Sequence, residues 1–504
     1  MNRRDFIKSS TALTLPVILQ SCDWKISNTD HFDIKVHSNA KIGHFTFEKS
    51  QLPRGGTIHT DILIVGGGLS GIAAAYKLRD KDILLLELSD HAGGSSSAGE
   101  DLGLAFSMGA HYDLSYPGTY GEEVLAMLEN LGVISYQPWK KTWTFTDRQH
   151  IVPNRRKNRC FDHGEYRDDV LEEGKEKEIF QELILPYGEK MTLPSRLIHE
   201  EYQSLNNISF LDFLNSRMKL SEHFVRCLDY NMRDDYGGTT EQVSALAGIH
   251  YFICRPYYTE IIDLFSPPEG NNYFVKKILA QVPNTALKLN SLVKAINPVK
   301  YGFEAEVLDV AKGEIYTVKA NKVIYAGQKH AVKHVFSADA NLFSNNRYAP
   351  WLVVNIILKN ELEGLGYWQN EIISPDPTFL GFVDSNMQHP IKQDLRVLTA
   401  YYCLPENMRD YLMHVETNKR KIAHATITRI EEYMGVPIAS LVRSIHMKPM
   451  GHAMPIPVPG YLFRDANDYR SNKNLVYAGV DNGRLPLLFD ALDSGLTAAR
   501  LLYS

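Results

Sequence analysis

The clearest chemistry in this chain belongs to three glycines and one acid. Gly66, Gly68 and Gly71 stand in GxGxxG spacing within "DILIVGGGLSGIAAAYKLRDKDILLLELS", and Glu87 follows near its end. The first glycine of such a pattern permits a tight turn. The second lets backbone approach a pyrophosphate, and the third lets a helix pack on a strand. An acid at the position of Glu87 can accept hydrogen bonds from ribose hydroxyls. Two other places hold titratable groups in unusual company. His452 lies in the proline-rich "MKPMGHAMPIPVPGYL", where it either accepts a proton and orients substrate or is a structural histidine bonded to backbone. Asp234 and Asp235, in "NMRDDYGGTT", either draw in a cationic substrate, cap a helix or face water.

Elements that could position the glycines follow from the local pattern. Ile62 to Val65 is a short apolar run ending at glycine, as a buried parallel strand does. Ile72 to Leu78 continues as an alanine-rich helix whose N-terminus would face phosphate, and Ile83 to Leu86 gives the next strand, closed by Glu87. GxGxxG between a strand and a helix, with the acid beyond, predicts a dinucleotide site instead of a plain βαβ turn.

The sequence that follows resembles the flavin-containing amine oxidases and their relatives. "ELSDHAGGSSSAG" places the doublet Gly93–Gly94 soon after the acid, with Ser95 where that family commonly has arginine. "LAFSMGAHYD" resembles the family's strand ending in Gly-Ala, here Gly109 and Ala110, with His111 next. Downstream, "TALKLNSLVKAINPVKYGFEAEV" looks like the segment carrying the adenine-contacting valine, Val293, and "ANKVIYAGQKHAVKHVF" like the strand and turn after it. "NKNLVYAGVDNGRLPLLFDALDSGLTAARLLYS" resembles the last FAD strand and closing helix. Gly479 matches the family's AG pair. Val480 intervenes before Asp481, the residue to which the resemblance gives a ribityl hydrogen bond.

The resemblance implies an FAD-dependent oxidoreductase of α/β class. Its FAD-binding, Rossmann-like βαβ domain would be assembled from three separated segments, 58–115, 266–345 and 465–504. An α+β substrate domain, an antiparallel sheet with helices, would come from 116–265 and 346–464. Within it, "GEEVLAMLENLG" and "SFLDFLNSRM" have helical spacing, and "WLVVNIIL" and "VLTAYYC" read as strands. Gly270, in "FSPPEGNNYFVKKIL", is expected in a turn returning to the FAD domain. The family oxidises C–H bonds beside nitrogen or desaturates apolar substrates, so an amine, a polyamine among the candidates, is the first expected substrate. A desaturase or isomerase and a non-catalytic flavin-holding lipoprotein are the rivals. Tyr251, Phe252, Tyr257, Tyr258, Trp351, Tyr401 and Tyr402 could supply rings for a desolvated pocket, though core packing explains most such residues.

The start of the chain concerns compartment. "RRDFIK" resembles a twin-arginine signal, and "LQSC" looks like a lipoprotein cleavage box with Cys22 as lipid acceptor and Asp23 favouring the inner membrane. The expectation is a signal over 1–22, a tether over 23–57 and a periplasmic protein attached through Cys22. The alternative is a cleaved soluble precursor. A cofactor loaded in the cytoplasm suits a route that carries folded chains. Net charge is −5, from 54 basic and 59 acidic residues, which argues against a nucleic-acid partner. The electron acceptor would be oxygen, a quinone or a redox protein. Cys160, Cys227, Cys254 and Cys403 lie far apart with no CxxC, so a metal cluster is not expected and buried thiols are preferred to disulfides.

Overall fold

The computed structural model describes residues 32–46, 52–109, 120–152, 158–254, 264–362, 367–373, 376–389, 391–463 and 469–503. Arg3, Arg4 and Cys22 of the expected signal, and Ala110, His111, Tyr257 and Tyr258, lie outside them.

Two eight-stranded sheets organise the chain. The first grows around Arg54–Val65, where Ile62, Leu63 and Ile64 are fully buried, as a parallel strand covered on both faces requires. Ile83–Leu86 and Glu314–Tyr325 flank it in parallel, and Leu287–Lys288 extends the side of Ile83–Leu86. Glu314–Tyr325 pairs antiparallel with Gly302–Asp309, which pairs with Ser291–Val299. Its last residues, Val323 to Tyr325, pair in parallel with Leu475–Tyr477. Strands from three distant stretches therefore share one sheet. The helix Leu69–Lys77 packs against the final helix Leu488–Leu501. Gly495 makes that approach possible, since a methyl group there would sit 2.1 Å from the Ser70 carbonyl oxygen.

The second sheet has Tyr348–Lys359 near its centre, between Leu395–Cys403 and Val442–Pro455, both antiparallel to it. Phe379–Asp384 and Gln369–Ile373 continue the antiparallel run beyond Leu395–Cys403. Val415–Met434 covers one face, packing Ile422, Ile427 and Ile430 into a core with Leu352, Val354, Ile356 and Leu398. Phe210–Asn215, Glu222–Tyr236 and Ala245–Ile253 are capped by Ser209, Ser221 and Ser244, whose side chains accept first-turn N–H groups.

Two expectations change here. The sheet is mixed, because Asn158–Asp162 joins Gln369–Ile373 in parallel and Asp33–Val36 joins Val442–Pro455 in parallel. The second of these strands falls inside the stretch read as a tether. Its sequence DIKV alternates polar and apolar, and Ile34 is buried in the core beneath Val415–Met434, which is the pattern of a half-buried edge strand. No helix among the described residues is long and apolar enough to cross a membrane.

Candidate active site

The glycine motif folds as its spacing demands. Gly66 has φ +102°, and a methyl on it would lie 2.9 Å from the Ala326 carbonyl. A methyl on Gly71 would lie 1.9 Å from the Gly66 carbonyl oxygen, so only glycine lets the helix start this close to the strand. Gly68 differs: a methyl there would meet nothing within 4 Å, because Gly68 borders open space at the N-terminus of Leu69–Lys77. Its loop is held by the second glycine pair. Gly93 N–H donates to the Gly67 carbonyl at 2.8 Å, and the methyl position of Gly94 is 3.4 Å from Gly68 Cα. Asn272, just beyond the turn at Gly270, ties the same loop by donating to the Ser96 carbonyl at 3.1 Å.

Glu87 ends its strand with both carboxylate oxygens engaged. Oε2 accepts the Gly67 N–H at 2.7 Å and Oε1 accepts the Ser89 N–H at 2.8 Å. A carboxylate offers about four acceptor positions, so two remain for hydroxyl donors. Ser95 is exposed beside Gly109, whose missing side chain would lie 2.0 Å from the Ser95 carbonyl oxygen.

These residues share one cavity of about 1250 Å³, lined at one end by Gly66, Gly68, Glu87, Gly93, Gly94, Ser95 and Val293. It continues past Gly109, Gly479 and Asp481 to His452. The open cradle at Gly68, a helix N-terminus and a part-satisfied carboxylate suit an anionic dinucleotide.

Asp481 is tied to two neighbouring side chains where it borders the cavity. Its Oδ2 accepts the Lys329 N–H at 2.7 Å and the Tyr348 hydroxyl at 3.2 Å, while Oδ1 pairs with Lys329 Nζ at 3.2 Å. Protein donors thus take most of its acceptor positions. Lys329, whose side chain has no exposure, also donates from Nζ to the Gly327 and Ala478 carbonyls at 3.0 and 2.6 Å. A buried pair satisfied in this way fixes the loop after Tyr325 to the loop after Tyr477.

His452 lines the cavity on Val442–Pro455. Its ring stacks on His330 with centroids 3.7 Å apart and planes within 14°, and Tyr348 meets it edge-on at 5.4 Å. Burial, then the neighbouring His330 and Arg409, pushes the His452 imidazole down to about 3. Burial likewise lowers His330 to about 4. A ring that holds no proton near neutrality can accept a hydrogen bond but is a weak base.

The far end of the cavity is acidic and aromatic. Asp234 and Asp235 occupy the last turn of Glu222–Tyr236, which Gly237 closes in the left-handed conformation. An aspartate there cannot cap an N-terminus, and it opposes the helix dipole. Both aspartates line the cavity; Asp235 is only 8% exposed and Asp234 half-buried, so the reading as helix-capping residues is corrected for both and the water-facing reading for Asp235. Glu371, 6% exposed, joins them, with its Oε2 accepting from Asn158 Nδ2 at 3.1 Å. Gln369 Nε2 donates to Asp234 at 3.3 Å. The Tyr401 hydroxyl is buried on this wall without a hydrogen-bond partner among the described residues. Burial, reinforced by the charge of Asp234, holds its proton on.

Of the expected rings, Tyr251, Trp351 and Tyr401 line the cavity. Tyr402 does not, because adjacent strand residues point to opposite faces, and its hydroxyl meets Thr426 at 2.8 Å on the other side of the sheet. Phe252 packs in the helical core against Phe180 at 4.9 Å. The four described cysteines are buried, and Cys160, Cys227 and Cys403 carry free thiols. Sequence reasoning missed Lys329, His330, Tyr348, Tyr367, Trp368 and Glu371. Only the first two carried a visible signal, two adjacent titratable residues directly after a strand.

A family model for an NAD(P)-binding Rossmann-like domain matches residues 64–131. No curated protein sequence matches the chain. Among solved structures, a wild-type putrescine oxidase bound to putrescine aligns with TM-score 0.65 and 15% identity, over 89% of this chain and 100% of that one. Cyclohexylamine oxidase from Brevibacterium oxydans IH-35A aligns with TM-score 0.63 and 15% identity, over 88% and 98%. A putative protoporphyrinogen oxidase from Exiguobacterium sp. 255-15 aligns with TM-score 0.60 and 16% identity, over 88% and 99%. The chain therefore shares the whole two-sheet α/β architecture of these oxidases, with a Rossmann-like dinucleotide domain at its N-terminal side.

Proposed function

We propose that the protein is an exported FAD-dependent oxidoreductase of the amine-oxidase type, acting on a C–H bond beside a substrate nitrogen. The observation that carries this reading is the continuity of one cavity from the dinucleotide cradle to a chamber lined by Asp234, Asp235, Glu371, Tyr251, Trp351 and Tyr401. FAD in that cradle would supply a hydride acceptor at its N5 atom. Glu87 and Val293 would hold its adenosine end, Gly66, Gly68, Gly93, Gly94 and Ser95 its diphosphate, and Gly109, Gly479 and Asp481 its other end.

The chain's own side chains then sort the substrate. Three carboxylates at the far end concentrate ammonium groups, which favours an amine with a second nitrogen, such as a polyamine. The rings exclude water around the reacting carbon, and neutral His452 orients the substrate nitrogen as an acceptor. An apolar substrate for a desaturase or isomerase would bring no positive charge to complement those carboxylates, which disfavours that reading. The twin-arginine resemblance and Cys22 support attachment at the periplasmic face of the inner membrane, with oxygen, a quinone or a redox protein taking the electrons.

The test is anaerobic mixing of purified, flavin-loaded protein with a panel of mono-, di- and polyamines and apolar compounds. Bleaching of flavin absorbance by amines is expected, fastest for those carrying two or more nitrogens. Bleaching by apolar compounds alone would overturn the substrate reading, and protein without flavin after cytoplasmic expression would overturn the cofactor reading.

A further inference from the structure

The stretch from Asp33 to Thr46 touches both sheets. Asp33–Val36 is held to the second sheet by its pairing with Ser444 to Met447, and His37 N–H extends the ladder to the Met447 carbonyl at 2.8 Å. The His37 ring stacks on His446 at 5.2 Å, with Nε2 3.0 Å from His446 Nδ1. His446 Nε2 in turn lies 2.8 Å from Asp101 Oδ2. A few residues later the chain is fastened to the other sheet. Asn39 Nδ2 donates to Ser89 Oγ at 2.7 Å, two residues beyond Glu87, and Phe45 packs with Leu88 against the cluster of Leu292, Leu308 and Ile315. Between these fastenings Ser38, Asn39, Gly43 and His44 line the cavity alongside Glu87, Ser89 and Val293.

We infer that residues 38–46 form a strap that closes the adenosine end of the dinucleotide cleft and slows release of the cofactor. This rests on the FAD reading above. The strap adds Ser38, Asn39, Gly43 and His44 to the wall at Glu87, Ser89 and Val293, and is held by its pairing at Asp33–Val36 and by the contacts of Asn39 and Phe45. A dinucleotide seated between Glu87 and Val293 has to push the strap aside to leave by that end, against the Asn39–Ser89 hydrogen bond and the packing of Phe45 that anchor it.

Asn39→Ala and Phe45→Ala, each in the full chain, test it, because both side chains are away from the glycine loops and only partly buried. FAD release is followed by flavin fluorescence on dilution, and ADP affinity for the deflavinated protein by calorimetry. The double variant is expected to release FAD at least tenfold faster and to bind ADP correspondingly more weakly, with FMN affinity unchanged. Hydrogen exchange confirms that residues 39–46 have come free. Unchanged FAD release from a freed strap overturns the inference, as does faster release with undiminished ADP affinity. Wild-type protein that binds ADP but no flavin overturns the FAD reading while leaving the strap's hold on adenosine measurable. Failure to bind either overturns both.

Discussion

At the dinucleotide end of the cavity the wall is mostly backbone, while at the far end it is side chain. Gly66, Gly68, Gly93 and Gly94 present main chain; Gly66, Gly93 and Gly94 hold positive φ that disfavours replacement, while Gly68 borders open space. Asp234, Asp235, Glu371 and Tyr401 instead project from a helix end and two strands whose backbones are regular. The first kind of wall recognises a shape common to many dinucleotides. The second offers charged and aromatic side chains, and can change without disturbing the fold. Stability and cofactor binding should therefore fail together at one end, and substrate choice alone should fail at the other.

Gly71→Ala tests the first half most severely. With a methyl 1.9 Å from the Gly66 carbonyl oxygen, the strand–helix turn must open, at a cost of roughly 3 kcal/mol or more. The expected result is flavin-free protein with a sharply lowered melting temperature. Gly68→Ala sharpens the comparison, since its methyl meets only open space and the backbone there is ordinary. It should leave apoprotein stability nearly unchanged and weaken FAD binding by tenfold or more. Equal melting and equal flavin content in the two variants would show that the cradle is not at Gly68.

Glu371→Gln and Asp235→Asn probe the other wall. Loss of a charged hydrogen-bond partner is worth about 1.5–3 kcal/mol, so KM for a polyamine should rise about 10–100-fold at constant flavin content. A monoamine should be affected less. If both substrates shift equally, the chamber does not read a second nitrogen.

Acid should act on the whole molecule more gently. Burial lowers His37, His250 and His330 to about 4 and His452 to about 3, from an ordinary 6.5. The unfolded chain therefore binds more protons than the folded one between those values. Stability is fully present above pH 6.5 and is lost as pH falls through 4. Denaturant midpoints measured across that range should decline steadily, and a flat profile would contradict these environments. Smallest of all, Ser95→Arg should tighten FAD binding severalfold, more at low ionic strength, because the side chain is exposed and its charge is screened.

The contrast between the two walls also explains what could be read in advance. GxGxxG, Glu87 and the Gly93–Gly94 pair are local in sequence, and each glycine answers a backbone need that no other residue meets. Their arrangement was therefore legible. Asp234 was seen as a residue but not as a wall, because its place depends on Glu222–Tyr236 ending at the cavity, a matter of packing. The Lys329–Asp481 pair joins positions far apart in the chain, and neither side chain announces its partner. Asp33–Val36 reads as tether in the sequence because a four-residue edge strand carries too few alternations to stand out from a loop.

One feature of the first sheet bears on when the protein becomes competent. Glu314–Tyr325 is completed only when Leu475–Tyr477 pairs with it, and the helix bearing Gly495 then backs the phosphate-facing helix. During synthesis the glycine motif leaves the ribosome long before these partners exist. The nascent chain thus carries its most recognisable sequence for most of its production without a finished cleft, and such distant pairing is slow to form. On the proposed FAD reading, flavin capture would be a late, post-translational event that doubles as a check on completeness. A ribosome-stalled chain ending before residue 475 that nonetheless held FAD tightly would refute that timing.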